Sequence, residues 1–303
     1  MREQPTAAQP VFRFAPSPNG FLHLGHAASA LINQRMARAA GGRFLLRIED
    51  IDTGRSREEF IEAIGEDLAW LGVTFDEEPL RQSQHLRGYQ EAADRLGAMG
   101  LIYPCFAARA EIHAAANEMG MQLDPDGAPV YPGLYRGLDP AEAERRKAGG
   151  EPFAMRLDMA RAVALATERA GSGTAKQQIT WRELGAAGQL ELAMDDPLAW
   201  GDIVLQRKDV PTSYHLSVVV DDARQGVTHV VRGKDLIRAT TIHRILQVLL
   251  DLPQPVYHHH DLVLDAFGLK LSKSDSATSL RSLREAGWTR GDVMAKLGFR
   301  GVA

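Results

Sequence analysis

Residues 11 to 48 carry the pattern that most limits what this chain can fold into. Val11 to Ala15 is a short apolar-rich run, stopped by Pro16-Ser17-Pro18-Asn19-Gly20, which can continue neither a strand nor a helix. Apolar residues at Leu24, Ala27, Ala28, Leu31 and Ile32 then predict a helix from Leu24 to Ala40, ended by Gly41-Gly42. Phe44-Leu45-Leu46-Arg47-Ile48 resumes an extended pattern. Strand, helix and strand in this order make a βαβ unit, whose usual consequence is a parallel sheet.

Further along, helices are expected from Ser56 to Leu71, with Ser56 as a cap, and from Gln84 to Met99. From Cys105 to about Leu192 the chain changes character. Alanine- and charge-rich helical stretches are broken by Asp124-Pro125-Asp126-Gly127 and Gly171-Ser172-Gly173, which reads as an insertion. Strand patterns return at Asp202 to Arg207, Leu216 to Val220 and Thr228 to Val231. A helix follows at Thr240 to Leu250, and a strand at Leu262 to Leu264. The expected organisation is a disordered tail over 1–10, a catalytic α/β domain in two halves at 11–104 and 193–255, an inserted mainly helical subdomain at 105–192, and a loop with a short helical region at 256–303.

Composition excludes several classes. The 303 residues include one cysteine, Cys105, so no internal disulfide forms and a reducing cytoplasm suits the chain. No run approaches the roughly 20 apolar residues of a membrane span, and Met1 to Pro10 lacks the apolar centre of a signal peptide. The net charge of −4 announces no global field for nucleic acid, although a local basic face is enough. Arg281, Arg284, Arg290, Lys296 and Arg300 offer one such face, and read more simply as a solvated helical surface.

Two segments carry chemistry. His23-Leu24-Gly25-His26 lies at a strand-to-helix junction, where free backbone N–H groups and the helix dipole favour an anion. His23 and His26 project from one side of the first turn, and Gly25 is expected to let a planar base or ribose approach the backbone. The same four residues also suit two surface histidines at a helix start. Lys270-Leu271-Ser272-Lys273-Ser274, near the other end, places two ammonium groups where they can neutralise a leaving pyrophosphate. Alone it is a charged loop; together, in this order, the two segments are specific.

His23 to His26 resembles the HIGH signature of class I aminoacyl-tRNA synthetases, and Lys270 to Ser274 resembles their KMSKS signature. Arg13 to Ser17, Arg47-Ile48-Glu49-Asp50-Ile51-Asp52, Tyr214 with Asp221-Asp222, and Val231-Arg232-Gly233 resemble the glutamyl branch over roughly Phe12 to Leu283. The resemblance implies a Rossmann-like doubly wound parallel sheet. It also implies ATP, with Mg2+, as a substrate held by His23, Gly25, His26 and Lys273, with His23, His26, Lys270 and Lys273 catalytic. Glutamate would be bound by Arg13, Phe14, Ala15, Pro16, Ser17, Glu49, Tyr214 and Arg232. The chemistry agrees, since Arg grips a carboxylate with two parallel bonds, Glu49 suits an ammonium and a Tyr hydroxyl adds direction. Arg47, Asp50 and Asp52 are expected to form structural ion pairs.

Only Asp275 to Ala303 follows the lysine loop, whereas a glutamyl-tRNA synthetase continues into an anticodon-binding domain. The chain therefore resembles the glutamyl-Q tRNA(Asp) synthetases, in which activated glutamate passes to queuosine in the anticodon arm of tRNA(Asp). The alternatives are a truncated synthetase charging the 3′ end of tRNA(Glu), a small nucleotidyltransferase for another acid, and a non-catalytic RNA-binding paralogue. No membrane and no obligate protein partner are implied. Relatives commonly bind zinc in the insert, but the matching positions are Cys105, Ala107, Tyr131 and Tyr135, a poor tetrahedral donor set. His258-His259-His260 alternate sides in an extended segment, so they do not converge on a metal.

Overall fold

The structure is a computed structural model and describes residues 9–171, 179–185, 187–264 and 279–299. Residues 1–8 of the tail expected over 1–10, Ser172-Gly173, Lys270 to Ser274 and Arg300 lie outside the described residues. Strand β1 (Val11–Phe14), helix α1 (Leu24–Ala39) and strand β2 (Arg43–Ile48) form the expected βαβ unit, with β1 and β2 parallel from Val11 opposite Arg43 to Phe14 opposite Leu46. Gly41, just past α1, takes φ of 60°, a left-handed conformation that suits glycine.

Helix α2 (Glu58–Trp70) is preceded by Arg57 in the capping position, not Ser56, and no side chain caps it; Glu58 and Glu59 in the first turn complement the helix dipole instead. Strand β3 (Leu80–Arg81) and helix α3 (Leu86–Ala98) follow. The insert segment contains α4 (Arg109–Glu118), α5 (Pro140–Ala148) and α6 (Met159–Arg169). Its strand β5 (Ala154–Leu157) lies antiparallel between β4 (Ile102–Cys105) and β8 (Val204–Gln206) in a small sheet. A hairpin, β6 (Trp181–Leu184) and β7 (Leu190–Ala193), joins the large sheet instead.

Two expected strands are corrected. Leu216 to Val220 belongs to helix α7 (Tyr214–Arg224). Its Leu216, Ser217, Val218 and Val219 are all buried, and a continuous apolar run carries no period that separates a buried strand from a buried helix. Leu262 to Leu264 is not a strand. The pairing strand is β10 (Val256–His260), which follows helix α8 (Thr240–Leu249) and runs parallel to β9 (His229–Gly233).

The large sheet has the order β3-β2-β1-β9-β10-β6-β7 and is parallel except at the β6–β7 hairpin. From β1 the chain moves outward to β2 on one side, and from β9 outward to β10 on the other. The strand order therefore reverses between β1 and β9, and open parallel sheets bind ligands outside the carboxyl ends of strands at such a point.

One face of this sheet repeats a two-residue motif. Val11, Leu45, Val230, Tyr257 and Trp181 pack together as one buried cluster. Two residues on, and so on the same face, stand Arg13, Arg47, Arg232, His259 and Glu183. The sheet is apolar at one end and ionisable at its carboxyl end. The opposite face, with Phe12, Phe14, Phe44 and Leu46, packs on α1 and α2, together with Leu280 of α9 (Leu280–Glu285) and Val293 of α10 (Arg290–Lys296).

Between α2 and α9 lies a buried liability. Asp67 is fully buried, neither carboxylate oxygen has a hydrogen-bond partner among the described residues, and its nearest cation is Arg284 at 3.5 Å. Burial raises the Asp67 carboxyl to about 6, against the pull of Arg284. A carboxyl raised on folding destabilises the folded state above that pH and ceases to do so as it is protonated. Asp67→Asn is therefore expected to stabilise the protein at pH 8, by on the order of 2 kcal/mol. The gain should shrink toward pH 5. Melting curves across that range check both the sign and the trend.

Candidate active site

At the carboxyl ends of β1 and β9 a cavity of about 650 Å³ opens. Arg13, Phe14, Ala15, Pro16, Ser17, Glu49, Tyr214 and Arg232 all line it, and so do His23, Gly25 and His26. The two predicted sets thus share one cavity. Lys270 and Lys273 lie outside the described residues. The described chain on either side of them meets this place: Leu262 and Val263 line the cavity, and Ser279 forms an antiparallel bridge with His23.

The histidine pair is held by its own helix. His23 caps α1 and accepts from the Gly25 N–H through Nδ1 at 3.1 Å, while His26 Nδ1 accepts from the His23 N–H at 3.2 Å. With Nδ1 accepting in both rings, the proton of each neutral imidazole sits on Nε2. The ring centroids are 3.9 Å apart. A Cβ on Gly25 would stand 2.9 Å from Cε1 of His23, so the bare glycine makes room for the first imidazole.

Three buried guanidinium groups stand on the sheet face. Arg13 donates through Nε to Oδ1 of Asp222 at 3.0 Å, and Arg47 donates through Nη1 to the same oxygen at 2.8 Å. Burial opposes ionisation of Asp222, but the two guanidinium groups outweigh it and hold its carboxyl below the usual range. Among the described residues Arg13 donates only through Nε, which leaves its two terminal amino groups for a carboxylate in the cavity. Arg47 also approaches Glu49 at 3.6 Å and donates to Gln225 at 3.1 Å, so its role is to support the neighbouring acids. Burial pushes the Glu49 carboxyl up, against the pull of Arg47 and Arg13.

Arg232 is used differently. Its five N–H groups go to His259 Nε2 (3.2 Å), Tyr214 Oη (3.2 Å), His243 Nδ1 (3.2 Å), the Leu236 carbonyl (3.1 Å) and Thr240 Oγ1 (2.8 Å). Because the Tyr214 oxygen accepts from Arg232, its own O–H is left to donate to a ligand. Arg232 is thus spent on protein acceptors, and the Tyr214 O–H is the donor left over among these groups. Asp50 accepts from Arg81 Nε at 3.1 Å and from the Ser83 N–H at 2.8 Å, and Asp52 accepts from Arg207 at 2.9 Å, all structural pairs of the expected kind.

The supporting residues Asp222, His243, His259, Thr240 and Glu183 are absent from the sequence-derived site. The spacing of Tyr257 and His259 beside Val230 and Arg232 is a signal that could have found His259. Of the other two histidines of the triplet, His258 has Nδ1 at 2.7 Å from the Leu184 carbonyl, while His260, with Nδ1 at 2.9 Å from the Asp261 carbonyl, also lines the cavity.

The positions matching a zinc site also converge, into a packed cluster of Cys105, Ala107 and Tyr131 with Tyr135 against it. Cys105 Sγ lies 3.4 Å from the Tyr131 hydroxyl, which accepts from the Tyr135 N–H at 2.9 Å. Burial, and then the bond to Cys105, pushes the Tyr131 phenol upward, so it stays protonated. The Arg156 guanidinium stands 3.9 Å over the Tyr131 ring, a fixed cation where a second one would be repelled. A further cavity of about 620 Å³ reaches from this cluster to His215, beside Tyr214 in sequence, but has no residue in common with the first. Elemental analysis of the purified protein is expected to find far less than one zinc per chain; one tightly held zinc would contradict the packing described.

The family model described as tRNA synthetases class I (E and Q), catalytic domain, matches residues 10–303. A glutamyl-Q tRNA(Asp) synthetase of Rhodobacter capsulatus is 47% identical over 294 residues, covering 95% of this chain and 100% of that protein. A glutamate–tRNA ligase 2 of Methylorubrum populi is 40% identical over 93% of this chain, a match that covers 58% of the ligase. The solved glutamate-tRNA synthetase from Elizabethkingia anophelis superposes with a TM-score of 0.70 at 26% identity, over 92% of this chain and 54% of that one. With this cavity at the sheet's switch point and a match that runs almost from end to end, the chain belongs to the class I tRNA synthetases of the E and Q type and carries their catalytic fold.

Proposed function

We propose that this protein activates glutamate with ATP and transfers it to queuosine at the wobble position of tRNA(Asp). The observation that carries the glutamate reading is the cavity wall, where the unspent fork of Arg13 and the Tyr214 hydroxyl stand with Glu49 beside the imidazole pair. A dicarboxylic amino acid meets all three. Its side-chain carboxylate takes the Arg13 fork and the Tyr214 O–H, and its ammonium pairs with Glu49. Phe14 at the end of β1 and the loop Ala15, Pro16 and Ser17 line the cavity with it, the loop being fixed to the residue after β2 by the bond from the Glu49 N–H to the Pro16 carbonyl at 3.0 Å.

In the first step an α-carboxylate oxygen attacks the α-phosphorus of ATP, the bond to the β-phosphate oxygen breaks, and pyrophosphate leaves with its Mg2+. In the second, a hydroxyl of the queuosine cyclopentenediol attacks the acyl carbon, its proton is lost, and AMP leaves. No side chain forms a covalent bond, so the catalytic work is positioning and charge stabilisation. His23 and His26 present Nε2–H groups to the phosphates at the start of α1, and Lys270 and Lys273 neutralise the departing pyrophosphate. Gly25 keeps the His23 ring in place.

The choice of tRNA rests on the relatives. The Rhodobacter capsulatus glutamyl-Q tRNA(Asp) synthetase is 47% identical, the Methylorubrum populi ligase 40%. The reaction belongs in the cytoplasm, where a buried single thiol, Cys105, stays reduced. The test is incubation with ATP, Mg2+ and labelled glutamate, with queuosine-modified tRNA(Asp), unmodified tRNA(Asp) and tRNA(Glu) offered separately. Label is expected on the modified anticodon arm alone, and label at the 3′ end of tRNA(Glu) would refute the assignment.

A further inference from the structure

A chain of hydrogen bonds crosses three neighbouring strands toward the amino-acid pocket. It begins at Glu183 on β6, passes through His259 on β10 and Arg232 on β9, and ends at Tyr214 on α7. The directions of these bonds are fixed by the groups themselves. A guanidinium only donates, so His259 Nε2 must accept from Arg232 Nε at 3.2 Å. The ring proton of His259 then sits on Nδ1, which faces the two Glu183 oxygens at 2.9 and 3.0 Å. Glu183 receives two more donors, the His259 backbone N–H at 2.8 Å and Trp181 Nε1 at 3.0 Å. A carboxylate, which accepts everywhere and donates nowhere, satisfies all three. Burial and the Arg232 charge keep His259 neutral even with Glu183 beside it, which its accepting Nε2 requires.

We propose that Glu183 is a positioning residue for the amino-acid pocket: it holds the His259 ring through Nδ1–H, the ring's Nε2 orients Arg232, and Arg232 in turn turns the Tyr214 O–H toward the substrate's side-chain carboxylate. This rests on the reading of the cavity as a glutamate site. Glu183 itself touches no substrate. Its removal leaves the His259 Nδ1–H and backbone N–H without their acceptor, so the imidazole is no longer held where its Nε2 accepts from Arg232 Nε. Arg232 then loses one of its five anchors, and its hold on the Tyr214 oxygen loosens.

The test is glutamate-dependent ATP–pyrophosphate exchange by the full chain. Glu183→Leu, which offers no acceptor, is expected to raise the KM for glutamate by about tenfold. The KM for ATP and kcat should stay within about threefold, a split that general loss of structure does not produce. Glu183→Gln combined with Trp181→Phe is expected to recover most of the glutamate KM, because the amide oxygen in the Oε1 position still accepts from the His259 backbone N–H and Nδ1–H, and the Trp181 donor that would face its NH₂ is gone. Should Glu183→Leu fail to fold, Glu183→Ala carries the same measurement. Wild-type exchange with an unchanged glutamate KM in the variant, or glutamate and ATP constants rising in parallel, would overturn the inference alone. A wild-type protein without glutamate-dependent exchange would sink the functional reading and the inference with it.

Discussion

The pocket depends on one buried carboxylate oxygen. Oδ1 of Asp222 holds Arg13 from β1 and Arg47 from β2 at 3.0 and 2.8 Å, and so ties helix α7 to two strands at the carboxyl edge of the sheet. All three side chains are buried. Two guanidinium groups this close repel each other strongly where water is excluded, and removing a buried partner costs about 3–5 kcal/mol. One carboxylate shared between two cations leaves positive charge in excess. Glu49 stands beside them, 3.6 Å from Arg47, and burial raises its carboxyl against the pull of Arg47 and Arg13.

The sheet makes this arrangement with a simple device. Each strand buries an apolar side chain first and an ionisable one two residues later on the same face, as in Val11 with Arg13, Leu45 with Arg47 and Val230 with Arg232. The apolar end anchors the strands, and the ionisable end delivers charge to the switch point between β1 and β9. The buried cations are not satisfied equally: Arg232 spends all five donors on protein acceptors, whereas Nε and Nη2 of Arg47 have no hydrogen-bond partner among the described residues. A rigid, pre-paired wall of this kind loses little entropy when a ligand arrives.

Much of this was legible in the residues. The βαβ unit follows from the turn at Pro16 to Gly20 and the glycine stop after α1, and the cavity-lining residues follow from the resemblance to the glutamyl branch. What escaped has physical causes. A continuous apolar run from Leu216 to Val220 has no period, so α7 passed for a strand, and Asp222 could not be seen on the helix face that meets Arg13. His258 to His260 were judged as a metal cluster and set aside on their alternation. The same alternation places His259 alone on the inner face with Arg232. Glu183 comes from a hairpin whose sequence lies in the insert segment while its pairing belongs to the large sheet, and only the β10–β6 pairing brings it near.

A crystal structure of the protein with bound glutamate measures the central claim most directly. The account places the side-chain carboxylate across the two terminal nitrogens of Arg13 at about 2.8–3.2 Å, within reach of the Tyr214 hydroxyl, with Nε of Arg13 still on Asp222. Glutamate bound with its carboxylate away from Arg13, or an Arg13 that had left Asp222 to reach it, would contradict the account.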